Sequence, residues 1–285
     1  MKRYLLLVII ILLMLSFFST RIYSWNFPED FAFVGLEKIA KDIKKSVFAV
    51  QTEGNLQNEN KNDDYISLGT GFLMTNNNIV LGITCEHVIR PAIKNDKPIL
   101  IGLNTSKGLE RFECRVVFND QEQDIAILAP QKPTSLTDVE LKNLILNNKY
   151  LAKGEEIAEG RGIIIIGYPL GLGIEHDENN PIIKFGIVAQ YTGADHFLVD
   201  GVANPGNSGS PVFDLRAEKF IGMVQAYNTD FIELFDQKGQ LTARLPYNSG
   251  LSSVLSSSVI LKVLENVNIP QENINTGSNE SAPSQ

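Results

Sequence analysis

Ser208 sits in the stretch NPGNSGSP, Asn204 to Pro211, with Gly206 two residues before it and Gly209 directly after. A tight turn of that composition holds a hydroxyl clear of the backbone. It also lets nearby N–H groups converge on one point, as stabilising a developing oxyanion requires. The same residues make ordinary turns, so the chemistry needs partners. A serine hydroxyl is a poor nucleophile at neutral pH unless a base takes its proton. His87 ends a strand-like run, GITCE, and Asp124 opens another, DIAIL. Each alone has a plain structural reading, a packed histidine and a strand-start aspartate. Together, in the order His, Asp, Ser, they supply a general base, the carboxylate that orients it and a nucleophile, the set for acyl transfer.

The remaining chemistry-bearing residues have structural readings. His176 lies among Glu175, Asp177 and Glu178, a solvated acidic loop rather than a metal site. His196 in GADHF belongs to a hairpin turn. The glycines of Gly167 to Gly173 (GYPLGLG) are not followed by Lys-Ser/Thr, so they do not form a phosphate loop. In an exported chain Cys85 and Cys114 either pair, closing a loop worth about 3 kcal/mol, or stay as two buried thiols, since spacing does not fix Cβ geometry. Cys85 is set aside as a nucleophile because it would share a strand end with its own base. Two cysteines and three histidines exclude a disulfide-dense scaffold and a four-cysteine zinc site. With no HExxH and no P-loop motif, no metal or organic cofactor is expected. A net charge of −8 argues against nucleic acid as the partner.

Positioning these residues falls to a chain of 285 residues, 44% apolar and 20% charged, enough for a packed core. Lys2 and Arg3 precede an apolar run from Tyr4 to Phe18, the form of an export signal. Residues 1–24 are read as a signal peptide or an uncleaved anchor, with residues 4–20 as the membrane segment. Ile22 is bulky where a cleavage site needs a small residue, and Tyr23 and Trp25 suit an interface. Either reading carries the rest of the chain across the membrane. Pro28 to Lys45 reads as an amphipathic helix on the spacing of Leu36, Ile39, Ala40 and Ile43. Residues 25–40 are assigned to a linker and this helix. Many short β-rich runs follow, among them YISLGTGFLMT, GIIIIGY and KFIGMVQAYN, and their spacing fits an all-β sandwich or barrel. One helical interruption is expected from Ser135 to Tyr150 and a closing helix from Ser252 to Val267. Residues 268–285 are polar and read as a disordered tail.

In that order the segments resemble the trypsin-like serine proteases, and among them the HtrA/DegP type. GTGF (Gly69 to Phe72) resembles the family's GSGF strand, and TCEHV (Thr84 to Val88) its histidine segment. DIAIL (Asp124 to Leu128) is similar to the aspartate segment, and GYPLG (Gly167 to Gly171) to the G-x-P-x-G loop. DGVANPGNSGSP (Asp200 to Pro211) resembles the nucleophile segment, with Ser210 where glycine is usual. The resemblance spans about Ile39 to Val267 and implies a chymotrypsin-like double β-barrel over residues 41–267. It implies Ser208 as nucleophile, His87 as base and then acid, Asp124 as orienter, and the N–H groups of Gly206 and Ser208 as the oxyanion hole. The pocket floor falls on Val202, beside Ala203, with Met223 in one wall. None is charged, so cleavage of a protein or peptide substrate after small or medium aliphatic residues is expected. Asn207 stands where zymogen-activated relatives carry an aspartate, so switching by a freed N-terminus is not expected. The PDZ domain usual after such a protease domain is expected to be missing. A silent protease-fold binding module is the alternative reading.

Overall fold

Short apolar runs broken by turn residues pair antiparallel here, and the pairing closes on itself twice. A computed structural model describes residues 36–54, 65–131, 138–151, 157–174, 178–193 and 195–267. The apolar segment 4–20, the start of the expected first helix, His176 and the tail 268–285 lie outside the described residues. Leu36 and Glu37 belong to a unit spanning Met1–Glu37, and all else described belongs to the compact unit Lys38–Gln285. Among the described residues no helix is long and apolar enough to cross a membrane.

Helix α1 (Leu36–Lys44) leads into the first barrel. Its strands are β1 (Val47–Glu53), β2 (Tyr65–Asn76), β3 (Ile79–Thr84), β4 (Ile99–Thr105), β5 (Gly108–Asp120) and β6 (Ile125–Pro130), closed in the order β1-β2-β3-β6-β5-β4. The second barrel has β7 (Gly162–Gly167), β8 (Ile182–Tyr191), β9 (His196–Asp200), β10 (Pro211–Asp214), β11 (Lys219–Phe235) and β12 (Leu241–Ser256), closed as β10-β11-β12-β9-β8-β7. Closure leaves no unpaired sheet edge within either barrel. Helix α2 (Glu86–Lys94) lies between β3 and β4, α3 (Asp138–Asn143) between the barrels, and α4 (Ser257–Asn266) follows β12. Sequence periodicity had not marked α2, which carries Pro91 in its interior. The interruption expected over 135–150 reduces to α3 and a 3₁₀ turn at Asn148–Tyr150. The closing helix starts later than expected because residues 252–256 extend β12, and Ser256 caps it by accepting from the Ser258 N–H at 3.3 Å.

Within each barrel most strand apolar residues turn inward. The second barrel's core holds Ile163, Ile165, Val199, Val212, Val224 and Val254. The barrels also meet through aromatic rings. Phe72 of β2 lies 5.2 Å from Phe220 of β11, and Phe220 lies 5.8 Å from Phe213 of β10. All three rings are buried. Tyr168, also buried, donates its hydroxyl to the Val47 carbonyl at 3.4 Å. Phe220→Ala empties the centre of this seam. It is expected to lower unfolding free energy by about 3–5 kcal/mol, measured by denaturant titration.

Candidate active site

His87 occupies the first turn of α2, one residue after Glu86. The helix N-cap position, Cys85, provides no side-chain cap, so the first N–H groups need an acceptor from elsewhere. Asp124 provides one. Its Oδ1 accepts the His87 backbone N–H at 2.9 Å, and its two oxygens lie 3.0 and 2.8 Å from His87 Nδ1. One carboxylate thus fixes both the helix start and the imidazole, leaving Nε2 on the outer side of the ring. Asp124 itself is presented by a tight turn. Asp120 Oδ1 accepts from the N–H groups of Glu122 and Gln123, and Asp124 follows at φ 50°. Aspartate tolerates that left-handed conformation better than most residues do.

Ser208 lies on the turn between β9 and β10. The Asn207 N–H bonds to the Asn204 carbonyl at 2.9 Å, and the Ser210 N–H to the Asn207 carbonyl at 2.9 Å. Gly209 takes φ +89°, and a Cβ there would collide with the Thr70 carbonyl oxygen. The Ser208 hydroxyl donates to the Gln225 carbonyl at 2.9 Å and not to the imidazole. The structure therefore joins His87 to Asp124 and bonds the Ser208 hydroxyl to the Gln225 carbonyl of β11.

Two peptide planes around Gly206 are clamped. The Pro205 carbonyl accepts from the Leu170 N–H at 2.6 Å, and the Gly206 carbonyl accepts from the Thr70 hydroxyl at 2.6 Å. In a trans peptide the N–H points opposite to its carbonyl, so the Gly206 N–H is turned away from Leu170. Neither the Gly206 nor the Ser208 N–H has an acceptor among the described residues. Such a pair of donors can receive an anionic oxygen. Leu170 makes its contact from φ 56°, a strained conformation for a bulky side chain of the kind that gathers at functional sites.

Sequence reading missed three positioning residues, Thr70, Leu170 and Gln225. Thr70 was visible only as the second residue of GTGF. Its N–H donates to the Ser208 carbonyl at 2.9 Å, its hydroxyl holds Gly206, and the same oxygen accepts the Tyr168 N–H at 3.0 Å. Leu170 was visible only as part of the glycine-rich loop. Gln225 was visible only as the end of a strand. Its Nε2 donates to the Gln123 carbonyl at 2.6 Å, and its Oε1 lies 3.0 Å from His196 Nε2. His196 therefore opens a strand and faces Gln225 instead of sitting in a turn. Ser210 is buried, accepts from Asn207 Nδ2 at 3.4 Å, and fills the space a Cβ on Gly167 would need. Asn207, also buried, accepts the Asn204 N–H at 3.1 Å, so its amide is satisfied within the turn.

Of the expected pocket residues, Val202 is half exposed and its carbonyl accepts from Lys184 Nζ at 2.6 Å. Ala203 lies in the second barrel's core and Met223 is wholly buried. Cys85 and Cys114 are free and buried. Burial pushes the Cys85 thiol well up, and the neighbouring Asp124 carboxylate pushes it further. Burial also raises Cys114, with help from Glu113.

The twin barrels with this serine and histidine–aspartate pair on their seam define the chymotrypsin-like class. The family profile described as a trypsin-like peptidase domain matches residues 69–223, more than half of the chain. The chain belongs to that family. It is 25% identical over 209 residues to a probable periplasmic serine protease do/HhoA-like of Haemophilus influenzae, covering 70% of this chain and 35% of that protein. It is 27% identical over 156 residues to the periplasmic pH-dependent serine endoprotease DegQ of Escherichia coli, covering 54% and 28%. The chain thus spans about a third of the length of the curated relatives it matches. Among solved structures it is similar in fold to the HtrA-type protease AlgW with decapeptide. The TM-score is 0.55 at 17% identity, covering 81% of this chain and 66% of that one.

Thr70→Val leaves the Gly206 carbonyl and the Tyr168 N–H without their partner. If Ser208 is the nucleophile, this substitution is expected to slow phosphonylation of its hydroxyl by a fluorophosphonate, with loss of fluoride, about tenfold or more, with Thr70→Ser restoring the rate. The two thiols are expected to resist iodoacetamide in the folded protein and to react after denaturation. Since both are raised on folding, their protonated burial stabilises fully below the unfolded thiol value of about 8.5. Stability should fall as pH climbs above it, because the unfolded chain loses those protons first.

Proposed function

We propose that residues 41–267 form an exported serine endopeptidase that cleaves proteins or peptides through an acyl-enzyme. The observation that carries this reading is the His87 imidazole held by both oxygens of Asp124. With Nδ1–H committed to the carboxylate, Nε2 is the tautomeric position that can accept a proton. Ser208 turns from the Gln225 carbonyl, gives its proton to Nε2 and attacks the scissile carbonyl carbon. The new oxyanion is received by the N–H groups of Gly206 and Ser208. Collapse expels the amine, which takes its proton from His87. Water, deprotonated by His87, then releases the acyl group. Free-state hydrogen bonds at such sites are often looser than in the reacting complex, so the Ser208–Gln225 bond is compatible with this cycle.

The uncharged, half-exposed Val202 supports a preference for small or medium aliphatic side chains before the cleaved bond, whereas Ala203 and Met223, expected beside it, are buried in the second barrel and do not line an open pocket. A cation there would be desolvated without a partner. Export rests on the basic pair and apolar run at the N-terminus, with residues 4–20 either cleaved off or retained as an anchor, and on the relatives named periplasmic. Asn207, satisfied within its own turn, supports an oxyanion site shaped by local packing without a buried N-terminal amine.

The hydrogen bond from Ser208 to Gln225 favours the second reading, a peptide-binding module without turnover. A fluorophosphonate probe separates the two. The peptidase reading expects labelling that Ser208→Ala abolishes. It also expects losses in kcat of roughly 10⁶-fold for His87→Ala or Ser208→Ala, with double variants no worse than singles. A chain that never labels is a binding module. A peptide-library profile dominated by Arg or Lys overturns the pocket assignment.

A further inference from the structure

Strand β11 does not stop where its barrel does. It pairs with β10 only through Lys219 to Met223, yet runs on to Phe235, paired with β12 back to Leu241. The result is a two-stranded ribbon standing clear of the second barrel. An isolated two-stranded ribbon is marginal in water unless something packs on it. This one exposes large apolar side chains on both faces. Ile232 opposite Leu245 and Leu234 opposite Ala243 lie on one face, and Phe231 opposite Pro246 on the other. Phe231, Ile232 and Leu245 are each about half exposed. Single exposed apolar residues are ordinary, but a continuous set marks a binding surface.

The position of the ribbon names its occupant. The edge of β11 that faces the nucleophile turn is occupied up to Val224. There the Gly209 N–H donates to the Val224 carbonyl at 2.8 Å, and the Val224 N–H donates to the Ser210 carbonyl at 2.9 Å. Next comes Gln225, whose carbonyl holds the Ser208 hydroxyl. From Ala226 to Phe235 the only strand partner of β11 among the described residues is β12, on the opposite side. A chain whose reacting carbon reaches Ser208 therefore arrives at the start of an open strand edge. Ten residues of that edge span about 33 Å.

The alternatives fit less well. The free edge of β12 carries Pro246, which has no N–H to offer and blunts pairing there. Two copies joined antiparallel along β11 would bring together the acidic side chains of Asp230 and Glu233. Residues 226–235 hold no Lys or Arg, and of the two acids Glu233 is paired across the ribbon with Arg244 at 2.7 Å, which leaves Asp230 without a cationic partner there. Asp230 is kept ionised by the Tyr247 hydroxyl, which donates to it at 2.6 Å.

We propose that the β11 edge from Thr229 to Phe235, on the ribbon beyond the residues that adjoin Ser208, is a distal substrate site. It adds one flank of an extended, apolar polypeptide, free of acidic residues, as a further strand beside the ribbon. Backbone pairing supplies affinity, and Ile232, Leu234 and Phe231 grip alternate side chains. This rests on the peptidase reading for the placement of Ser208.

The test uses the full-length chain bearing Ser208→Ala and fluorescent peptides with three, six or nine apolar residues on one flank or the other of a cleavable bond. Binding is read by anisotropy. The proposal expects affinity to rise at least tenfold from three to nine residues on one flank only. It expects Asp at the distal positions to cancel the gain and Lys to keep it. The double variant Ile232→Ser, Leu234→Ser should flatten the length dependence. Affinity independent of length on both flanks overturns the proposal, as does an unchanged gain with distal Asp. A dimer that forms in solution and is lost in the double variant would instead make the ribbon an interface between copies. Because binding is measured without turnover, failure of the peptidase reading shows separately, as no fluorophosphonate labelling of the unmutated chain.

Discussion

The hydrogen bond from the Thr70 N–H to the Ser208 carbonyl ties the proposed nucleophile, which the second barrel carries, to a strand of the first. Everything else at the site depends on that register. The histidine and aspartate come from the first barrel and cannot reach the serine unless the two barrels hold one relative position. Thr70 enforces it twice, through its N–H and its hydroxyl, and within the first barrel its carbonyl accepts the Thr84 hydroxyl at 2.6 Å just before the helix that bears His87. Gly209 is required at the same point, since any side chain would strike the Thr70 carbonyl. Packing of Phe72 against Phe220 supplies the apolar burial that makes this polar junction affordable.

The fold and the three chemical residues were legible because each left a local mark. Alternating apolar runs with turn residues between them indicate strands, and the glycines around Ser208 mark backbone that only glycine adopts. The positioning residues left no such mark. Thr70, Leu170 and Gln225 act through main-chain groups or through partners distant in sequence, and their types are ordinary for a strand or a loop. Helix α2 was hidden for another reason. Its N-terminal cap comes from Asp124, 37 residues later, so the segment lacks a capping residue of its own. The ribbon was missed because Asp, Glu, Gly and Pro are scattered through Thr229 to Gly250, which reads as loop until β11 and β12 are seen to pair.

His87 and Cys85 lie close together, and their burial separates their roles. Cys85 Sγ lies against the Val224 carbonyl at 3.3 Å, inside the same cluster as His87 and Asp124. A thiol beside a histidine would suit a cysteine nucleophile if the thiolate could form. Here burial and the Asp124 carboxylate both oppose ionisation, so the thiol stays neutral and does not compete with the imidazole as an anion. The structural reason to set Cys85 aside is thus electrostatic, firmer than the shared strand end that sequence offered.

The bond from Ser208 to Gln225 sets the energetic problem that this site must solve. Breaking it leaves the Gln225 carbonyl without that donor, a cost of about 1–3 kcal/mol if nothing replaces it. A substrate lying as a strand along β11 would bring backbone N–H groups to this edge, and one of them could take over the carbonyl as the hydroxyl departs. On the peptidase reading, release of the serine toward His87 would be coupled to occupancy of the strand edge. A bare solvent molecule, which cannot align along β11, would release it less well. The Gln225 side chain is meanwhile pinned by Gln123 and His196, so the carbonyl stays in place while its partner changes. One strand of the second barrel would thereby both hold the nucleophile at rest and recognise the chain that frees it.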